Sequence, residues 1–585
     1  MKLSDYVIDS LAEHGITHIF EVCGGALAHL LDSVYGRTDI TTVSMHHEMA
    51  AAIAAEGYAR ASENFGVAMA TSGPGATNLI TGIGSCYFDS IPCLYITGQV
   101  NTYEYKFEKP VRQIGFQETD IVSIVKPIVK KAVMVKNAED IRHTMDEVYP
   151  LMKSGRPGPV LLDLPLNIQR AEVDIPSLKT YTEEPPVSNP SMEALNHICN
   201  LIPASTRPII LAGGGVRSSH ACEELLRFVH ETRIPVVTSL MGLDAFPHDD
   251  PLFVGMIGTY GNRYANLAIA NADLVIALGT RLDTRQTGTR PETFARKATI
   301  VHIDIDPHEL NNKIKGTTAI HADIRKFLVS ILNQPNIARI PTNNAPWLAK
   351  IKQYWQRYPD FKEPVTPKID PNYFMHVLSK KLRDNVIICV DVGQIQMWAA
   401  QSLVIKKAQR FLTEGGMASI GSALPMAIGA SFAQPKKQII VITGDGGFQL
   451  NIQELQTVYH HHLPIKIILL NNNGYGMIKQ FQEQYLNSRF QSSGIGYSNP
   501  DFQEVVSAYK IPSMKISSND EIIPALQRFL SDNNPGFLEV IIDDKARALP
   551  KLSVNRPVED QEPLLSRDEL KSNMFIETLP EPEKL

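Results

Sequence analysis

The chain has 585 residues, too many for one hydrophobic core, and the usual domain size divides it into about three or four units. Apolar residues make up 44% and charged residues 20%, and 56 Lys and Arg against 62 Asp and Glu leave a formal charge of -6 with no basic block able to track a phosphate backbone, so nucleic acid is not an expected partner. No apolar run reaches membrane-span length, the opening "MKLSDYVIDSLAEHGI" lacks a signal core, and the six cysteines are scattered without CxxC pairing, which points to a cytoplasmic protein with reduced thiols and no membrane partner.

In chain order, residues 1-175 alternate β-branched runs with amphipathic segments, as in "GVAMATS" followed by "GATNLITGIGSCYF". The stretch "SMHHEMAAAIAAEGYARA" reads as a helix with Glu48 near its start and Ala on nearly every face, so Glu48 is expected to be buried. A buried carboxyl keeps its proton and can share it with a ring nitrogen; a helix-start acid stabilised by the dipole fits the same residues. Gly24 and Gly25 fit a tight turn, or the Gly25 main-chain N–H is a hydrogen-bond donor. Pro and polar residues around 175 to 191 close this block. A second, 190-335, runs through "PIILAGGG", "LVIALGT" and "IVHIDID". Gly213, Gly214 and Gly215 follow a strand there without the spaced third glycine of the dinucleotide fingerprint, and Asp304 ends a strand where an acid can bind ribose hydroxyls.

A second Pro-rich stretch, around 333 to 347, precedes the third block, 365-548. Here Gln438 to Thr443 and Ile465 to Leu470 read as buried parallel strands, and Ile452 to Tyr459 carries helical periodicity between them. Asp445 and Asn472 then sit in turns leaving the carboxyl ends of neighbouring strands, the place where open α/β sheets bind ligands. Gly444, Gly446 and Gly447 allow close approach of a phosphate, and two hard side-chain oxygens suit Mg²⁺ holding a diphosphate; an ordinary strand-end turn remains the alternative. Residues 549-585 form a polar tail with one short helical candidate, Ser566 to Asn573. The fold class is α/β, with three parallel-sheet domains.

Glu48 in its His-Glu-x-x-Ala context, "TSGPGATNLITGI" at 71 to 83, and the interval from Gly-Asp-Gly to Asn-Asn together resemble the thiamine diphosphate-dependent decarboxylases and carboligases. "GFQETDIV", "SGRPGPVLLDLP", "GTRLDTRQTG", "VGQIQMWAAQ" and "LNIQELQT" look like the acetohydroxyacid synthase branch, in order from about residue 4 to about 545. The resemblance implies a pyrimidine-binding first domain, a middle domain and a diphosphate-binding third domain. Glu48 would bond the cofactor's pyrimidine, Gly25 would donate to developing oxyanions, and Phe116 and Gln117 would line the substrate pocket. Thr71, Gly73, Gly393, Gln394, Gln396, Met397, Gly444, Gly446, Gly447 and Met477 would hold the cofactor, with Ile420 enforcing its bent form and Asp445, Asn472 and the Gly474 carbonyl holding Mg²⁺. In the middle domain Arg156, Gly213, Gly214, Gly279, Arg281, Arg285, Asp304 and Asp323 match positions that bind FAD without net redox duty.

The resemblance also implies a site shared between subunits, hence a homodimer at minimum, with a tetramer left open. Its activity would be decarboxylation of pyruvate and transfer of the acetyl unit to a ketone, a second pyruvate giving acetolactate. Departures stand out: Tyr260 and Ile395 replace usual His residues, Glu309 an Asn, and Phe481 the Trp of the acceptor pocket. The tail segment "RPVEDQEPLLSRDEL" resembles yersiniose-type flavoproteins, which makes a nucleotide-linked ketosugar the alternative acceptor. A catalytically inactive flavin-binding regulatory protein is the alternative of another class, against which the retained Glu48, Asp445 and Asn472 speak.

Overall fold

The structure, a computed structural model, describes residues 1–182, 189–335 and 344–581, so both Pro-rich stretches fall partly outside the described residues. Three six-stranded sheets follow one another along the chain, and every pairing within them is parallel. The first comprises β1 (His18–Val22), β2 (Thr41–Ser44), β3 (Gly66–Ala70), β4 (Cys93–Gln99), β5 (Lys131–Met134) and β6 (Val160–Pro165), in the order β2-β1-β3-β4-β6-β5. The second holds β7 (Pro208–Ala212), β8 (Val236–Thr238), β9 (Phe253–Met256), β10 (Leu274–Leu278), β11 (Thr299–Asp304) and β12 (Thr318–His321). The third holds β13 (Ile387–Val390), β14 (Arg410–Leu412), β15 (Ile439–Gly444), β16 (Ile465–Asn471), β17 (Ser513–Ile516) and β18 (Gly536–Ile541).

The third sheet repeats the strand order of the first, as β14-β13-β15-β16-β18-β17. The second runs β12-β11-β10-β7-β8-β9, the doubly wound order whose direction reverses between β7 and β10. β3, β4, β7, β10 and most of β15 and β16 are buried at every position, the pattern of strands covered on both faces. Between β15 and β16 the expected single helix is instead a one-turn helix Asp445–Phe448, a 3₁₀ stretch Gln449–Glu454 kinked at Asn451, and a helix Leu455–His460.

The first and third domains share one apolar core, sealed where helix Glu48–Ser62 crosses helix Ala423–Ala433. The crossing depends on glycine. A Cβ on Gly57 would lie under 3.0 Å from the Met426 carbonyl, and one on Gly429 under 3.0 Å from the Ala54 carbonyl, so the backbones touch directly. The tail lies across the middle domain: Arg263 donates to the carbonyls of Gln561 (3.1 Å) and Pro563 (2.7 Å), and Arg296 pairs with Glu559 at 2.7 Å. Its short strands β19 (Lys551–Leu552) and β20 (Gln561–Glu562) pair antiparallel beside Gln484, and its helix runs Arg567–Asn573 with Ser566 as cap. Among the described residues no helix is long and apolar enough to cross a membrane.

Candidate active site

β15 and β16 pair in register, Gly444 opposite Leu470, so the turns that follow them open side by side. Asp445 Oδ2 accepts the Gly474 N–H (2.8 Å), the Tyr497 hydroxyl (2.9 Å) and the Asn499 amide (2.9 Å). Burial raises the Asp445 pKa above the ordinary carboxylate value while these three donors pull the other way. The Asn472 side-chain oxygen faces the Gly474 carbonyl at 2.8 Å and Asp445 Oδ1 at 3.2 Å. Three oxygens thus converge with no proton between them. Turning the amide over would press its oxygen against Gln394 Oε1, whose orientation is set by Gln394 Nε2 donating to Gln480 Oε1 (2.9 Å) and the Ala546 carbonyl. Separations of this size match the ligand-to-ligand edges, about 3 Å, of an octahedron with roughly 2.1 Å bonds, so the donor set fits Mg²⁺.

The glycines around it have distinct reasons. A Cβ on Gly446 would meet the Tyr475 ring at 2.5 Å, and one on Gly447 the Asp391 carboxylate, so both are forced by packing. At Gly444 and Gly393 (φ +139°) a Cβ would meet only Ile395, at 3.8 and 3.9 Å, leaving a cradle into which a diphosphate fits. Asp391, missed in the sequence reading, ties the floor of this cradle together. It accepts the N–H groups of Val392 and Gly421 and the Thr443 hydroxyl, each at 2.8 Å, and burial lifts its pKa to about 6. An acid directly after an apolar strand was the available signal, the same one that marks Asp445. Tyr497 and Asn499 were also missed. They lie in a polar loop whose composition says nothing about where it folds back.

Ile420 sits in the loop between β14 and helix Ala423–Ala433, 37% exposed. Met477 and Phe481 lie on helix Gly476–Tyr485; Met477 Sδ accepts the Tyr260 hydroxyl at 3.1 Å, and Phe481 is half exposed. Gln396 turns away from the cradle, its amide donating to Thr413 Oγ1 (2.7 Å) and the Glu414 carbonyl (2.8 Å), and with Met397 it lines the cavity of the middle domain.

In the first domain, Glu48 opens helix Glu48–Ser62 behind the N-cap His47, and Asn78 Nδ2 donates to Glu48 Oε2 at 2.9 Å. The expected burial of Glu48 is not met in the single chain: it is half-buried, because only the Ala-rich turns after it face inward and the first turn projects past them. Around it gather Gly75, whose Cβ would lie 3.3 Å from Glu48 Oε1, and Thr71, whose hydroxyl accepts the Ala26 N–H at 3.4 Å. Gly73 (φ +67°) packs on Gln117, where a Cβ would sit 3.0 Å from the Gln117 Cβ. Gly25 begins a 3₁₀ turn, with nothing within 4 Å of where its Cβ would be, and Phe116 stands 86% exposed. The sequence-derived residues therefore form two groups, one in the first domain and one in the third, and no described hydrogen bond or ion pair joins Glu48 to the Asp445 set.

A third group surrounds a cavity of about 220 Å³ at the reversal of the second sheet, lined by Arg156, Gly214, Gly279, Arg281, Arg285, Asp304 and Asp323. Gly213 is not on its wall; it packs on Gly279 and Thr280 and donates its N–H to Leu278 at 2.9 Å. Burial raises the Asp304 pKa to about 6, and Asp323 caps helix Ile324–Leu332. Arg281 pairs with Asp283 (3.1 Å), and the Arg285 guanidinium lies over the Tyr260 ring at 5.7 Å. Arg156 is held by Glu309 (3.0 Å) and Asp306 (3.4 Å), so Glu309 engages one of the cations expected to face a ligand. Glycine-lined strand ends, three arginines and a strand-end acid fit a dinucleotide.

Fold and site define a class of three-domain α/β enzymes that hold a diphosphate cofactor, and comparison with known proteins agrees. Family models for the N-terminal TPP binding domain, the central domain and the C-terminal TPP binding domain of thiamine pyrophosphate enzymes match residues 1–124, 195–331 and 391–540. A "Probable acetolactate synthase large subunit" of Methanocaldococcus jannaschii is 39% identical, the alignment covering 94% of this chain and 93% of the relative. "Acetolactate synthase 1, chloroplastic" of Oryza sativa is 36% identical over 94% and 86%, and the "Acetolactate synthase large subunit" of Cyanidium caldarium 35% identical over 94% of each. The chain belongs to the thiamine pyrophosphate enzyme family, in its acetolactate synthase-like branch of cofactor-dependent carboligases.

Proposed function

We propose that the protein is a cytoplasmic enzyme that decarboxylates pyruvate with thiamine diphosphate and joins the two-carbon unit to a second pyruvate, giving acetolactate. The observation that carries this reading is the convergence of the Asp445, Asn472 and Gly474 oxygens at the paired ends of β15 and β16, beside the open cradle of Gly393 and Gly444. In it, residues 1-175 receive the pyrimidine end of the cofactor, 365-548 its diphosphate, and 190-335 FAD. Asp445, Asn472 and the Gly474 carbonyl would hold Mg²⁺, which neutralises diphosphate charge. Bound thiamine diphosphate supplies a nucleophilic carbon and an electron sink for loss of CO₂.

The chain's own residues then have defined tasks. Glu48 holds a proton at the pyrimidine ring, with Asn78 fixing its carboxyl at 2.9 Å. Ile420 supports the bent cofactor, and the Gly25 N–H faces developing oxyanions. Phe116, Gln117 and Phe481 bound the space for the second carbonyl. The exposed apolar side chains Phe116, Tyr103 and Ile114 in the first domain, and Ile478, Phe481 and Leu450 in the third, support completion of the site by a second copy of the chain, since such surfaces are normally covered.

The relatives' names favour acetolactate over a ketosugar product, and neither the branched-sugar reading nor an inactive flavin-binding protein is favoured. Labelled pyruvate, supplied with thiamine diphosphate, Mg²⁺ and FAD, should yield labelled CO₂ and acetolactate, with acetolactate still the product when nucleotide ketosugars are added. Absence of CO₂ release from any 2-oxo acid would sink the proposal. Release of FAD from purified, yellow protein tests the middle domain.

A further inference from the structure

Two of the three donors on Asp445 Oδ2 come from the loop between helix Gly476–Tyr485 and helix Phe502–Ala508: the Tyr497 hydroxyl and the Asn499 amide, each at 2.9 Å. The third, the Gly474 N–H at 2.8 Å, belongs to the turn itself. A carboxylate oxygen offers two lone-pair sites, so three donors leave none over on Oδ2. Oδ1 instead faces the Asn472 oxygen at 3.2 Å, which in turn faces the Gly474 carbonyl at 2.8 Å. The two oxygens of one carboxylate thus have unlike surroundings, one engaged by the protein and one turned to the converging set.

The loop donors are themselves held. Gln449 Nε2 reaches the Tyr497 hydroxyl (3.4 Å), Asn499 Oδ1 (3.2 Å) and the Asp445 carbonyl (3.1 Å), so one amide ties both donors to the residue they serve. Asn499 Nδ2 also donates to Asn471 Oδ1 at 3.1 Å, and Asn471 Nδ2 donates to Glu539 Oε1 at 2.9 Å. Glu539 lies on β18 and is buried. The Tyr497 ring packs edge-on against Tyr475, centroids 4.9 Å apart. Turning the Asp445 carboxylate to offer both oxygens would break hydrogen bonds whose donors are already fixed, which costs more here than at a solvated turn.

We infer that Tyr497 and Asn499 are positioning residues that restrict Asp445 to one oxygen toward the cation, and that this restriction makes the site choose Mg²⁺ over Ca²⁺. The two ions ask different things of a carboxylate. Mg²⁺ takes a near-ideal octahedron at about 2.1 Å, whose edges of about 3.0 Å the two closely spaced oxygens of one carboxylate cannot span. Ca²⁺ takes six to eight oxygens at roughly 2.3–2.6 Å and readily gains the extra ones from bidentate carboxylates. Three donors on Oδ2 withhold it from that second mode. The separations of 2.8 and 3.2 Å among the remaining oxygens also lie nearer the Mg²⁺ edge than the roughly 3.4 Å edge of a Ca²⁺ octahedron. Tyr497 and Asn499 need not touch the cation; they act through Asp445.

This inference rests on the proposed Mg²⁺ and thiamine diphosphate site, and the experiment separates the two. Binding of thiamine diphosphate is followed by calorimetry with Mg²⁺ or with Ca²⁺, without pyruvate, in wild type, Tyr497→Phe, Asn499→Ala and the double variant. The ratio of the two cation affinities cancels any general weakening of site or fold. Tyr497→Phe removes the hydroxyl donor and leaves the ring against Tyr475. Wild type should prefer Mg²⁺, each single variant should weaken Mg²⁺ binding, and the double variant should lower the Mg²⁺-to-Ca²⁺ ratio by roughly tenfold or more, the size of other outer-shell effects. An equal ratio in all four proteins, or a wild type that takes Ca²⁺ as tightly as Mg²⁺, would overturn the inference and leave the proposed function standing. Thiamine diphosphate binding that neither cation promotes would instead remove the proposed function, and this inference with it.

Discussion

The proposed function gives Glu48 and Asn472 different tasks. In the proposed reaction Glu48 gives and takes a proton, so Glu48→Gln, which keeps shape and the Asn78 contact, is expected to lower pyruvate decarboxylation by about 10²- to 10⁴-fold with little change in melting temperature. As a proposed Mg²⁺ ligand, Asn472 would offer an oxygen to the cation, so Asn472→Ala should weaken Mg²⁺ at least as much as the roughly 10- to 100-fold seen for outer-shell partners, read by titrating activity with Mg²⁺. A second acid, Asp163, bears on stability. Asp163 is fully buried, accepts from Thr97 (2.7 Å) and Gln99 (3.0 Å), and has its pKa raised by burial to about 7. The folded state therefore binds more protons than the unfolded one from the ordinary carboxylate range up to about 7, so this contribution is full at low pH and is lost as pH rises through that window. Asp163→Asn should flatten unfolding curves measured from pH 5 to 8 by about one proton's linkage. Residue identities at the two glycine turns were legible in the sequence because each acid or amide follows a strand-length apolar run. Tyr497, Asn499 and Asp391 were not read, since their role exists only once distant turns meet at Asp445 and Gly421.

Parallel strands such as β15 and β16 announce themselves by unbroken apolar, β-branched runs, and their expected limits differ from the observed ones by a single residue. The segment between them was less legible. Its periodicity suggested one helix, whereas Asn451 kinks the chain where its side chain donates to the Gly421 carbonyl at 2.7 Å, a tertiary contact overriding local preference. The helix crossing of Glu48–Ser62 with Ala423–Ala433 was invisible as a pairing, although both segments are rich in small residues. Gly429→Val would drive a side chain into the Ala54 carbonyl and should destabilise the fold by about 1–3 kcal/mol, measured by denaturant unfolding, with loss of activity following the shift. Gly25→Ala, with open space at its Cβ, should be neutral for stability in the same measurement.

At the scale of the molecule, the Glu48 group and the Asp445 group belong to different domains and are not joined by a hydrogen bond within the described chain, while apolar side chains around both stand exposed. If the site is completed by a second copy, specific activity should fall on dilution in step with dissociation followed by sedimentation; full activity in a monomer would refute the shared site. The sequence by itself determined the three α/β units, the family and the chemical types at the two glycine turns, because apolar period and turn composition are local properties that survive in one dimension. Tertiary structure alone decided that the first and third sheets share a strand order, that the middle cavity opens where strand direction reverses, and that Tyr497 and Asn499 reach Asp445. Those facts depend on which distant segments come within a few ångströms of each other, and burial, with the charge balance it imposes, arises only there.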